Sequence, residues 1–175
     1  LEGNDSFINF PPKLSFENQE ELINYVNNLD YRYKQGVIVY FPNQTQLKIM
    51  NPTYLEYFEA RGNEPSIKFR YLQVRLDNKK VNMLYKLYPE YINTFRKYEG
   101  IIYKLTKHIY QSYVKRYIKK ELVSLPQQQY FVMQACHSWY MCDKLNNGIS
   151  IDKVNEVMNN QSATSLNRLI KSFKM

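Results

Sequence analysis

This sequence predicts an α+β fold that is mostly helical, with one short antiparallel β-hairpin near the N-terminus. Three observations predict it. Val37, Ile38, Val39 and Tyr40 form an unbroken β-branched and aromatic run, and a second apolar run, Leu47 to Met50, follows the turn residues Pro42-Asn43-Gln44-Thr45. From Ser66 onward the apolar residues return at spacings of three and four, the period of helices buried on one face. No further strand runs exist to complete a sheet, so the chain reads as a mixed part, 1–65, followed by a helical part, 66–175.

Taken in order, residues 1–15 read as irregular, because Pro11-Pro12 blocks regular structure. Ser15 is the expected cap of a helix over 17–29, whose apolar face is Leu22, Ile23, Val26 and Leu29. Gly36 to Phe41 is the first strand, read as buried on both faces. In the second, Leu47 and Ile49 share one face while Lys48 and Met50 share the other, since strand side chains alternate. Asn51-Pro52 stops that strand, Thr53 to Glu59 is a short helix, and residues 61–65 are a loop.

Phe69, Leu72 and Leu76 open the helical part. Pro89 marks the start of a long helix with Tyr91, Phe95, Tyr98, Ile102, Leu105 and Ile109 as one stripe, running to about Leu122. Pro126 opens another helix to about Leu145, closed by Asn146-Asn147-Gly148. Ser150 caps a helix to about Asn159, and Ser162 or Thr164 caps the last, with Leu166, Leu169, Ile170 and Phe173 inward.

The charge is uneven. Net charge is +8, yet residues 1–30 carry one basic and six acidic side chains while residues 61–123 carry fifteen basic and five acidic. That block suits either a polyanion or an ordinary solvated surface. Tyr is abundant at 17 and Gly scarce at 5; tyrosine suits half-buried or stacking positions. Cys136 and Cys142 would face different sides of a helix, so no local disulfide is expected, and two histidines give no zinc pattern. His108 and His137 read as structural, and Trp139-Tyr140-Met141 as packing between helices. No membrane span or secretory signal is present, which points to an intracellular, cytoplasmic protein. The chain opens on Leu, which reads as a processed or excised piece.

Lys34-Gln35-Gly36-Val37-Ile38-Val39 resembles the fourth motif of the covalent nucleotidyltransferases, and Leu47-Lys48-Ile49-Met50 resembles the fifth. Further phrases, Tyr88-Pro89-Glu90-Tyr91, Tyr113 to Ile118, Ala135 to Tyr140 and Gly148 to Val154, resemble the C-terminal part of the phage-type, tRNA-repair RNA ligases and their large-DNA-virus relatives. The resemblance implies that 1–65 ends a nucleotidyltransferase domain and that 66–175 recognises structured RNA such as tRNA. It implies ATP and Mg²⁺ for the family, with none expected in this fragment, and a missing N-terminal part as partner. Lys48 would face a phosphoryl group, with an edge-strand lysine that discourages sheet pairing as the plainer role. Gln35 would occupy the metal-carboxylate position without its charge, and Met50 that of a second lysine.

The nucleophile motif is absent, and Lys97-Tyr98-Glu99-Gly100 is a decoy inside the long helix, so self-adenylylation is not expected. Lys97, Lys104, Lys107, Lys115, Arg116, Lys119 and Lys120 would follow an RNA backbone, with Tyr103, Tyr110 and Tyr113 stacking on unpaired bases. The alternative is a viral structural or protein-interaction module with neither RNA nor nucleotide activity. The Asn-, Lys- and Tyr-rich composition also fits an AT-rich viral genome.

Overall fold

A computed structural model describes residues 12–173, and the expected α+β architecture is what it holds: eight α-helices and one two-stranded antiparallel sheet among the described residues. Of the irregular segment expected at residues 1–15, residues 1–11 lie outside them and 12–15 are irregular as expected. The chain divides into two compact units, one ending at Glu56 and the other beginning at Tyr57.

In the first unit, α1 (Gln19–Asn27) is capped by Asn18 instead of Ser15. The Asn18 side chain accepts the backbone N–H of Glu21 at 2.9 Å, and the Glu21 carboxylate reaches back to the N–H of Glu17 at 2.7 Å. Of the expected apolar face only Val26 is fully buried, and Ile23 is exposed. Strands β1 (Gly36–Tyr40) and β2 (Gln46–Met50) pair with Gly36 opposite Met50 and Tyr40 opposite Gln46.

The turn between them closes through Phe41 and Thr45. The Asn43 side chain accepts from the Thr45 backbone and hydroxyl. One expectation fails here. The β1 run is not buried on both faces, because the sheet has only two strands: Ile38 is 50% and Tyr40 69% exposed. A β-branched run specifies extended backbone but not what covers it.

Asn51 ends the hairpin and organises the unit. It is 1% exposed, and its amide donates to the carbonyls of Val26 at 2.9 Å and of Asn27 and Leu29 at 3.2 Å, at and just past the end of α1. Its side-chain oxygen accepts the N–H of Tyr54 and so caps α2 (Pro52–Arg61). One buried side chain therefore closes one helix and opens the next.

In the second unit α2 terminates at Gly62, which sits at φ +56° and donates its N–H to Phe58 at 2.8 Å. The Arg70 guanidinium then takes the carbonyls of Ala60 at 2.9 Å and Glu59 at 2.6 Å. The stretch after Ser66 is two helices, α3 (Ile67–Val74) and α4 (Asn78–Leu87), capped by Ser66 and Asp77. Leu76, expected on an apolar face, lies in the turn between them and is 61% exposed.

A single 3-10 turn, Pro89–Tyr91, leads into α5 (Ile92–Tyr113). The long helix does not continue as an α-helix to Leu122: it widens into a π-turn at Val114–Ile118 and stops. The remaining helices are α6 (Gln127–Cys142), α7 (Ile151–Asn159) and α8 (Ala163–Ser172), with Ser150 and Ser162 as caps of the last two.

Helix α5 is the axis of this unit and packs against α3, α6, α7 and α8. Phe95, Leu105, Ile109, Met133, Leu166 and Leu169 are at most 2% exposed. Each such side chain contributes about 1.5–3 kcal/mol by leaving water. Phe95 stacks on Tyr71 with ring centroids 4.3 Å apart, and Tyr85 and Tyr91 flank it. Much of the tyrosine content is thus spent on half-buried packing around the core.

Candidate functional site

Placement divides the basic residues expected to meet RNA into three groups. Lys97, Lys104 and Lys107 are exposed on α5, and Lys115 continues the line into the π-turn. Spacings of seven and three residues put the first three about 10 Å and about 5 Å apart along the axis, on the face opposite the core. None of the four is ion-paired among the described residues. Arg96, absent from the sequence-based set, is exposed next to Lys97. The Lys107 ammonium lies over the Tyr103 ring, 4.4 Å from its centroid, and that ring is 57% exposed.

Arg116 departs from this line. Its guanidinium lies 5.4 Å from the Tyr130 ring centroid and 5.8 Å from that of Tyr117, holding the π-turn against α6. Lys119 is exposed beyond it. Two of the three tyrosines expected to stack on bases are committed to packing instead: Tyr113 is 4% exposed and Tyr110 half-buried. Only Tyr103 keeps an open ring. The tyrosines follow the same helical period as the apolar stripe, which is why spacing alone could not separate them.

Lys120 belongs to the third group. It sits at φ +59° after the π-turn and lines a pocket of about 340 Å³ with Tyr113, Tyr117, His137, Tyr140 and Lys144. His137 stacks on Tyr117 at 3.8 Å with 14° between the planes, and its Nδ1 is 3.2 Å from the Tyr113 hydroxyl. Partial burial, then the neighbouring Lys144 and Lys120 charges, hold its basicity below the usual histidine range. Met141, expected in packing, is 49% exposed and lines the same pocket, while Trp139 lies under the Lys153 ammonium at 4.1 Å. Sequence reasoning missed this site; the one signal for it was Lys120 and Tyr113 lying close to Tyr117 in the chain.

The decoy at Lys97 to Gly100 has a structural occupation. The Glu99 carboxylate takes Arg75 through two bonds of 2.9 and 2.8 Å and the Tyr71 hydroxyl at 3.0 Å, while Arg75 also donates to Asn159 at 2.7 Å. The network joins the C-terminal end of α3 to α5 and α7. Burial, followed by the Glu99 charge, pushes the Tyr71 hydroxyl far above its ordinary range. A second cleft of about 600 Å³ contains Arg75, Asp77 and Lys80, but Arg75 is paired with Glu99 and Lys80 with Asp77. His108 Nδ1 meets the buried Gln129 side-chain oxygen at 2.9 Å. Cys136 and Cys142 are both free thiols, and burial pushes Cys136 up to about 11. Among the described residues no group of three or more His, Cys, Asp or Glu side chains could hold a metal ion. No helix among them is long and apolar enough to cross a membrane.

On the hairpin, Lys48 stands in mid-strand opposite Ile38, exposed, and Gln35 is exposed just before β1. The Gln35 carbonyl accepts the Asn51 N–H at 2.8 Å. Gly36 faces Met50 so closely that an added Cβ would fall 2.1 Å from the Ile49 carbonyl oxygen. Hairpin closure alone therefore demands glycine in the motif-like Gln35-Gly36 pair.

The chain is 31% identical over 170 residues to a protein of Invertebrate iridescent virus 3 named "Immediate-early protein ICP-46 homolog". Its relatives are viral. A protein of the same name from Invertebrate iridescent virus 6 is 32% identical over 124 residues, 69% of this chain. The first alignment covers 92% of this chain, but the two cover only 38% and 27% of the respective relatives, so the chain spans well under half the length of either. No protein-family model matches the chain, and no solved structure does.

These matches overturn the RNA-ligase resemblance. The relatives carry the immediate-early name, and no ligase or nucleotidyltransferase family is among the matches. In this hairpin Gly36 is required by its close approach to Ile49, and an exposed lysine suits an edge strand, so local geometry accounts for both phrases. The roles of Lys48 as phosphate contact and Gln35 as altered metal position rested on that resemblance and lose their basis with it.

Proposed function

We propose that this chain is an interaction module of an immediate-early viral protein, and that the exposed face of α5 is its contact surface for a polyanion. Single-stranded nucleic acid is the partner this chemistry suits. The observation that carries the reading is the line of Lys97, Lys104, Lys107 and Lys115, none of them ion-paired among the described residues, with the open Tyr103 ring beside Lys107. Unpaired ammonium groups along one face neutralise successive phosphates and release counterions, and an exposed ring stacks on a base.

The test is fluorescence anisotropy with a labelled single-stranded RNA across a salt series. With four phosphate contacts, log Kd should change with log salt by a slope of about 3. Replacing Lys104 and Lys107 with Glu should weaken binding by at least about tenfold and flatten that slope. Unchanged affinity in this variant removes α5 from the interface.

A second reading has its own support. Ile38 and Tyr40 on one face of the hairpin are 50% and 69% exposed, apolar groups of the kind protein partners cover, and Leu47 is 50% exposed on the other face. A protein-interaction module without nucleic-acid affinity would show no RNA binding at physiological salt, and would lose its partner on Ile38→Lys rather than on Lys104→Glu.

A further inference from the structure

The pocket at the end of α5 is built from parts that the polyanion reading does not use. Its floor is aromatic: Tyr117 lies flat on His137, and the Tyr140 ring continues from His137 at 6.1 Å and 29°. Its rim is cationic, with Lys120 and Lys144 both lining it and no carboxylate among the lining residues. The nearby Asp143 carboxylate is turned to Asn146, accepting from its backbone and side chain at 3.2 and 2.8 Å.

Two backbone departures shape this corner. The π-turn closes through Lys119 N–H to the Val114 carbonyl at 3.0 Å, and such single turns concentrate at functional sites. Two residues past its end Lys120 is held at positive φ, a conformation a lysine adopts only when its surroundings fix it. A volume of about 340 Å³ falls at the small end of ligand sites.

We infer that this pocket binds a phosphorylated nucleoside, its base on the Tyr117–His137–Tyr140 wall and its phosphate taken by Lys120 and Lys144. The source of that group is either a free nucleotide or the phosphorylated end of a strand. Stacking accepts any base because every base has a π-face, while two unpaired ammonium groups require an anion. Bound phosphate also offsets the Lys144 and Lys120 charges that, second to burial, lower the basicity of His137, so the imidazole senses the ligand directly. The pocket shares no lining residue with the line of Lys97, Lys104, Lys107 and Lys115, so its test is separate from that of the α5 reading.

The chain has two histidines, which makes proton NMR of the imidazole signals a direct reporter. The full chain is titrated with adenosine 5′-monophosphate, adenosine and inorganic phosphate. The monophosphate should shift the His137 signal and leave His108 in place. Adenosine and phosphate alone should each bind at least about tenfold more weakly. Lys120→Asn, which tolerates positive φ, combined with Lys144→Gln should weaken the monophosphate at least about tenfold. Lys144→Glu alone repeats the test at an exposed residue that carries no backbone strain.

A His137 signal unmoved by the monophosphate overturns the inference, as does equal binding of adenosine, or unchanged binding in the lysine variants. A 5′-phosphorylated oligonucleotide that binds more tightly than both its hydroxyl form and the monophosphate assigns the pocket to strand ends. The reverse order assigns it to the free nucleotide.

Discussion

Asn51 shows how much one side chain can hold. Its amide satisfies three carbonyls at and just past the end of α1 and its oxygen caps α2, all while 1% exposed. Replacing it with Leu keeps the volume but leaves those groups unpaired, and Asn51→Leu should cost about 2–4 kcal/mol by chemical denaturation. Asn51→Asp should cost at least as much, since a carboxylate would face carbonyl oxygens. The sequence showed Asn51-Pro52 as a strand stop but not as this hub, because the partners lie more than twenty residues away.

The same limit hid the Arg75–Glu99–Tyr71 network: the Arg75 side chain is 8% exposed, and Glu99→Ala would strand its charge, at a cost of about 3 kcal/mol or more. His137 makes a pH prediction of definite sign. Burial, then the Lys144 and Lys120 charges, lower its folded basicity below the ordinary imidazole value of 6.5, so the unfolded chain takes the proton first as pH falls. Stability from the neutral imidazole is whole above that value and is lost progressively below it. His137→Gln should therefore flatten the acid limb of the stability profile while leaving the alkaline side unchanged in slope, as measured by melting temperature against pH.

At the scale of elements, helices were the legible part. Ser150, Ser162 and the stripe from Phe95 to Ile109 all stood in the sequence as caps and periodicity, since a helix is specified within four residues of itself. What was not legible depended on tertiary neighbours or fine backbone choice: the break between α3 and α4, the π-turn, and whether β1 was covered.

Two helix and hairpin devices can be checked. Gly62→Ala places a Cβ at φ +56° and 2.9 Å from the Arg70 guanidinium carbon, against the group that caps α2. It should cost about 1–2 kcal/mol, with Gly62→Asn milder, by the same denaturation assay. Lys48 stands among the exposed apolar groups Ile38 and Tyr40 on a sheet whose two strands are both edges. If its charge guards those edges, Lys48→Val should raise self-association in sedimentation velocity without changing helix content. Unchanged sedimentation would leave that lysine without a protective role.

For the whole molecule, the two units are unequal in what supports them. The buried cluster from Tyr71 to Ile170 lies entirely within the second unit, whereas the first rests on one helix and a two-stranded hairpin. A lone hairpin is marginal in water, while helices packed on a shared core sustain themselves. A chain beginning at Pro52 keeps α2 together with the Gly62 and Arg70 devices that end it, and it loses only the Asn51 cap. Such a chain should unfold cooperatively in urea, keep the helical circular dichroism of α2 to α8, and retain both the salt-dependent binding assigned to α5 and the His137 response to a nucleotide. Residues 1–51 alone should show no cooperative transition. If the shortened chain instead melts without cooperativity, the second unit draws stability from the first, and surfaces read on α5 must be tested only in the full chain. If it folds but loses RNA affinity, the hairpin unit supplies part of the contact, and the acidic character of residues 1–30 would have to be reconciled with a polyanion at that end of the chain.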